Sequence, residues 1–118
     1  MKHLFAAILL FGPTLALASS PSTPGVYAGA GMASCGKYLS DSQRPDLVFG
    51  YTSWMQGFLS GANLGFSGAG LLDPVTLPDS ESIKLYMDNF CKANPLKNVK
   101  EGSMKLYKDV HARNAASK

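Results

Sequence analysis

The sequence predicts an all-α fold, a small bundle of about four helices stapled by one disulfide. Three observations carry that expectation. Apolar residues recur at helical spacing in four separate segments. Helix start and stop residues bracket those segments. The two cysteines, Cys35 and Cys91, fall on the first and third of them.

The first segment is "SCGKYLSD", Ser34 to Asp41. Ser34 is an N-cap residue, and Cys35, Tyr38 and Leu39 share one face. The second starts at Pro45, a residue suited to the first helical position, with Asp46 beside it to complement the helix dipole. It runs to about Phe66 and ends in "SGAG", Ser67 to Gly70. Leu47, Tyr51, Trp54, Phe58 and Leu59 form its stripe, widened by Val48, Met55 and Ala62. A loop with Pro74 and Pro78 follows, and either Asp79 or Ser80 caps the third helix. That helix carries Ile83, Tyr86, Met87, Phe90 and Cys91 on one side and stops at Asn94-Pro95. The fourth begins near Asn98, which with Glu101 resembles a capping box. Its stripe is Val99, Ser103, Leu106 and Val110, with Tyr107 beside it.

The ends of the chain bear on compartment. "MKHLFAAILLFGPTLALASS" has a short basic start, an apolar run and a small-x-small cleavage site at Ala16-Leu17-Ala18, the layout of a secretory signal peptide over residues 1–18. Residues 19–33, rich in Ser, Pro and Gly, read as a flexible arm. The helical domain is then 34–113 and a frayed tail 114–118. The expected compartment is the periplasm. A domain of roughly 80 residues buries a modest core and often needs a covalent staple. An even number of cysteines in a small exported chain favours a disulfide, and two allow one pairing. The alternatives are free thiols or half of a metal site, and the latter wants more ligands than the one remaining His, His111.

The stretch "YTSWMQGFLSGANLGF", Tyr51 to Phe66, raises the functional question. It has no charge, and Gly57, Gly61 and Gly65 recur every fourth residue. The uncharged region from Leu47 to Leu72 is long enough to span a bilayer, and small-x-x-x-small is a membrane packing device. Gln56, Asn63, the glycines themselves and the one-sided apolar stripe favour a soluble amphipathic helix without stable membrane insertion. Each glycine costs about 1 kcal/mol relative to Ala inside a helix. A line of them admits a close neighbour: another helix of this chain is the expected use, and a ligand or partner is the alternative.

Little in the chain points to catalysis, so the expectation is a non-enzyme without cofactor or metal. "GFSGAG" only loosely resembles a nucleophile elbow, because Ala69 stands where Gly is required and no strand precedes Ser67. Asp73 and Asp79 flank the proline loop as a possible acid–base pair, but such acids more often cap helices or face water. His111 reads as a cation-friendly residue near a helix C-terminus. The basic residues concentrate in the last third, from Lys84 to Lys118, interleaved with acids, and read as a solvated face, with no nucleic acid partner.

"SCGKYL…RPDLVFGYTSWMQGFLSG" and "MDNFCKANPLKNV" resemble the two halves of HdeA/HdeB-like periplasmic proteins, over roughly Ser34 to Val110. The resemblance implies an all-helical fold with Cys35 bonded to Cys91. It also implies an acid-stress chaperone, stored as a homodimer, that exposes apolar surface when acidified. Its client surface would fall around Val48, Tyr51, Met55 and Phe58; Trp54 and the glycines Gly57, Gly61 and Gly65 complete the candidate partner-binding set. The glycine line, the extra aromatics and the scarcity of charge depart from that family. "WMQGFLSGANLG" and "NPLKNV" are also similar to Tai-type immunity proteins, which implies a single toxic effector as partner instead of many unfolded clients.

Overall fold

The computed structural model describes residues 29–118. The segment read as a signal peptide, residues 1–18, and most of the expected arm therefore lie outside the described residues. Four α-helices follow a short 3-10 turn at Gly29–Met32: α1 Cys35–Asp41, α2 Pro45–Gly68, α3 Ser80–Ala93 and α4 Val99–Ala116. Among the described residues the only β feature is one antiparallel bridge, Ser34 with Asn98. The expected all-α fold with one disulfide is present.

Each helix starts where local chemistry supplies its unsatisfied N–H groups with acceptors. Ser34 Oγ accepts from Lys37 N at 3.2 Å, and Asp79 Oδ1 from Ser82 N at 2.7 Å. Asn98 and Glu101 form the reciprocal capping box, at 2.9 and 3.1 Å. α2 has no side-chain cap; Pro45 sets its first turn. It stops at Gly70, whose φ of 68° is the left-handed conformation that glycine tolerates. There Gly70 N donates to Ser67 O and Leu71 N to Phe66 O, the paired bonds of a Schellman motif.

One corner ties three helices together. Cys35, the first residue of α1, is bonded to Cys91 near the end of α3, with the Cα atoms 4.8 Å apart. Beside it the caps of α1 and α4 pair back to back: Cys35 N donates to Lys97 O at 2.8 Å and Val99 N to Ala33 O at 3.0 Å. Both sulfurs are fully buried, packed into a core that includes Tyr38, Met55, Leu59, Ile83, Met87 and Val99.

Three details depart from the sequence reading. Gly29–Met32, within the segment read as the end of the arm, form the 3-10 turn and pack on α2 with Gly31 buried. The reason is space: a Cβ at Gly31 would overlap the indole of Trp54. α4 stays helical to Ala116, past the expected fraying point, and Lys118 pairs with Asp73 at 3.1 Å. The close helix approach falls at Gly102 on α4, where a Cβ would lie 2.6 Å from Met87 Sδ and 2.7 Å from Phe90 Cδ1. Gly57, Gly61 and Gly65 do not serve that role; a Cβ at any of them meets nothing within 4 Å.

Two outcomes follow for stability. Replacing both cysteines with alanine removes a cross-link spanning 56 positions. That lowers the unfolding free energy by about 4 kcal/mol on the chain-entropy account, read from urea unfolding; a loss below about 1 kcal/mol shows the corner holding without its covalent bond. Separately, Gly61→Ala raises stability by about 0.5–1 kcal/mol, because it gains helix propensity with nothing to displace. Gly31→Ala lowers stability, because it displaces the Trp54 ring; thermal unfolding of the two variants in opposite directions is the check.

Candidate functional site

α2 is the longest helix, 24 residues, and two opposite faces divide its residues. Tyr51, Thr52, Met55 and Leu59 point into the core. Gly50, Ser53, Gly57, Gly61, Leu64 and Gly68, spaced by three, four or seven residues, line the other side, and all are exposed. No charged residue occurs between Leu47 and Leu72. Phe49 and Leu64, on this outward side, are 74 % and 75 % exposed. The half-buried Trp54 and Phe58 stack at 5.2 Å along one flank of the glycine line. The result is a smooth, uncharged, partly apolar helix face with open space over three aligned glycines.

The candidate partner-binding residues divide accordingly. Gly57, Gly61 and Gly65 are exposed, Trp54 and Phe58 are half-buried along the flank of the glycine line, and Val48 is half-buried on the core-facing side with Thr52, Met55 and Leu59. Tyr51 and Met55 are core, 7 % and 0 % exposed, so they offer no surface in this folded state. Tyr51 is held there by an edge contact with Tyr38 and by its hydroxyl, which donates to Asp41 at 2.7 Å. Phe49 and Leu64 were absent from the expected set. Leu64 is nine residues from Met55, half a helical revolution away in projection, and that offset is the signal that finds it. The apolar stripe is thus not confined to one side of α2.

The loop after α2 is clamped back onto it by Asn63. Its Nδ2 donates to Val75 O at 2.9 Å and its Oδ1 accepts from Val75 N at 3.0 Å, which buries Val75 and fixes where Leu71 and Leu72 emerge.

The residues considered for chemistry have structural partners. Asp79 caps α3, and its carboxyl lies below the usual range because of the hydrogen bonds from Ser82. Asp73 pairs with Lys118. His111 packs edge-on against Tyr107, ring centres 4.7 Å apart. The buried Tyr107 hydroxyl and His111 Nε2 have no hydrogen-bond partner among the described residues. Among those residues no group of three or more His, Cys, Asp or Glu is placed to hold a metal ion, and no helix is long and apolar enough to cross a membrane.

A repeated electrostatic unit joins the helices. In each case a Lys and an Asp four residues apart form an ion pair, and a tyrosine of a neighbouring helix donates its hydroxyl to the same Asp. Lys37–Asp41 on α1 receives Tyr51 of α2 at 2.7 Å. Lys84–Asp88 on α3 receives Tyr38 of α1 at 2.9 Å. Lys105–Asp109 on α4 receives Tyr86 of α3 at 2.7 Å. Hydrogen bonds from Lys37 and then Tyr51 hold the Asp41 carboxyl below its ordinary 3.8, and those from Lys105 and then Tyr86 do the same for Asp109. Burial, followed by the bond to Asp41, pushes the Tyr51 hydroxyl up to about 12, and the Tyr38 and Tyr86 hydroxyls are raised for the same kind of reason.

Comparison with protein-family models, with curated proteins and with solved structures finds no match for this chain.

The depressed carboxyls set an acid limit. A carboxyl whose folded value lies below its unfolded one contributes stability that is complete above the ordinary 3.8 and is lost as pH falls through the depressed value. The urea midpoint therefore drops on acidification below the ordinary carboxylate range. The Asp41→Asn, Asp109→Asn double variant is less stable at neutral pH and shows a shallower acid drop. Equal acid dependence in the two proteins places the sensitivity elsewhere.

Proposed function

We propose that this chain is an exported, non-enzymatic protein-binding protein of the HdeA-like stress-chaperone kind, with the outer face of α2 as its contact surface. The carrying observation is that face: Phe49 and Leu64 exposed, no charge from Leu47 to Leu72, and three glycines open to solvent. Helical glycines that pack against nothing in their own chain represent about 1 kcal/mol each of unrecovered helix stability. A partner lying along them recovers it through close backbone approach. The buried disulfide supports residence in an oxidising compartment, as does the signal-peptide layout of the first 18 residues. At neutral pH the uncharged face suits coverage by a second copy, since an isologous contact sets the same surface against itself.

The Lys–Asp–Tyr units favour the acid-stress form of the proposal. In two of them, at α1–α2 and α3–α4, the carboxyls of Asp41 and Asp109 are held below their ordinary value, so protonating these weakens both helix contacts together. The disulfide keeps α1 on α3 while the rest loosens, and core residues such as Tyr51 and Met55 then join the contact surface.

A dedicated inhibitor of one folded partner, of the Tai-type immunity kind, is the second reading. It is favoured by the fact that the α2 face is already exposed in the folded state and needs no rearrangement to meet another helix.

Aggregation of an acid-labile client enzyme, followed by light scattering, separates the two. The chaperone reading expects suppression at acidic pH and little at neutral pH, and weaker suppression by the Gly57→Arg, Leu64→Arg variant, whose added charges persist in acid. Unchanged client aggregation at acidic pH overturns it. One stoichiometric partner held at neutral pH, and lost in the same variant, establishes the inhibitor reading.

A further inference from the structure

A second surface, chemically unlike the α2 face, lies along α4. The end of α3 and the outward side of α4 enclose an open groove of about 470 Å³. Its floor is apolar, formed by the half-buried Phe90 and Met104. Its rim is basic: Lys97, Lys100, Lys105 and Lys108 all line it. The last three lie on α4 and Lys97 just before its cap, so the spacing of three, five and three sets them along one side of the helix over roughly 16 Å. Glu101 is the single acid in the lining, so the groove carries four positive charges against one negative, a formal +3.

The chain's own acids pair with two of the four rim lysines. Glu101 is engaged with Lys97 at 3.0 Å and with Asn98 N in the capping box. Lys105 pairs with Asp109, which also accepts a hydrogen bond from the Tyr86 hydroxyl. Lys108 has no ion pair among the described residues. The existing pairs are exposed i,i+4 contacts, which are weak in water, so an incoming carboxylate exchanges with them at little cost.

We propose that this groove is a second protein-contact site, taking an acidic segment of a partner protein, with its carboxylates on the lysine rim and one apolar side chain on the Phe90–Met104 floor. Charge complementarity selects an acidic occupant and speeds encounter. The concave floor selects a projecting side chain over a lipid surface, because a flat leaflet meets the lysine ends before it reaches Phe90 or Met104. Lysines, compact charges on long stems, match separately placed carboxylates better than the planar two-oxygen geometry that arginine prefers. This site is independent of the α2 face and goes beyond it.

Fluorescence anisotropy of a labelled helical peptide, with glutamates along one face and a single leucine, tests the assignment on the disulfide-bonded protein. The peptide binds, its affinity falls as salt is raised, and the Met104 methyl resonance moves on titration. Lys100→Glu, Lys108→Glu weakens binding about tenfold or more. The charge-matched control Arg44→Glu, Lys118→Glu does not, and neither does Gly57→Arg, Leu64→Arg, so failure here is separable from failure of the α2 proposal. Circular dichroism verifies that each variant folds. Absence of binding, equal binding of the analogue with glutamine for glutamate, equal loss in the charge-matched control, or capture of phosphatidylglycerol vesicles in place of the peptide each overturns the proposal.

Discussion

The structure depends on the corner where Cys35 meets Cys91. A bundle of this size has few long-range apolar contacts with which to fix the relative placement of its helices. The disulfide and the Ser34–Asn98 bridge fix three helix ends at one point: the start of α1, the end of α3 and the start of α4. Their positions are coupled chemically, because the residues that cap α1 and α4 are the two that pair across the bridge. With that corner set, α2 closes the core with Tyr51, Met55 and Leu59, and its other side is left outward.

Away from the corner, helix placement rests on polar contacts at the margins of the core. The three Lys–Asp–Tyr units repeat one solution to one problem. A tyrosine ring is buried for its apolar area while its hydroxyl needs a partner, and an ion-paired aspartate at the edge provides one. Tyr38 and Tyr51 lie in the core on this pattern. At Asp41 and Asp109 the same solution makes the α1–α2 and α3–α4 contacts sensitive to carboxylate protonation, which the disulfide is not. The chain thus combines a covalent point that protonation leaves intact with helix contacts that it weakens.

The two candidate surfaces differ in what each demands of a partner. The outer face of α2 is neutral and smooth, and it rewards close backbone approach. The α4 groove is cationic with a recessed apolar floor, and it rewards carboxylates around a side chain. Their separation follows from composition along the chain: Leu47 to Leu72 contains no charge, while eight of the basic residues fall between Lys84 and Lys118.

The sequence by itself determined the helices, their caps and the single possible cysteine pairing, because those depend on local spacing and on residue types with one strong preference. Ser34, Pro45, Asn98 and the "SGAG" stop each act within a few residues of their own position, so their roles were legible, while the choice of Asp79 over Ser80 as the α3 cap came from the structure. The tertiary structure alone decided which side of α2 is buried. Apolar residues lie almost all round that helix: the predicted stripe joined Met55 and Leu59, which are core, to Leu47, Trp54 and Phe58, which are only half-buried. It also decided which glycines answer to packing. Gly31 and Gly102 carry no local mark, yet they receive Trp54, Met87 and Phe90, whereas the conspicuous line Gly57, Gly61, Gly65 faces open space. The physical reason is that a glycine's purpose lies in what approaches it, and that neighbour is distant in sequence or belongs to another molecule.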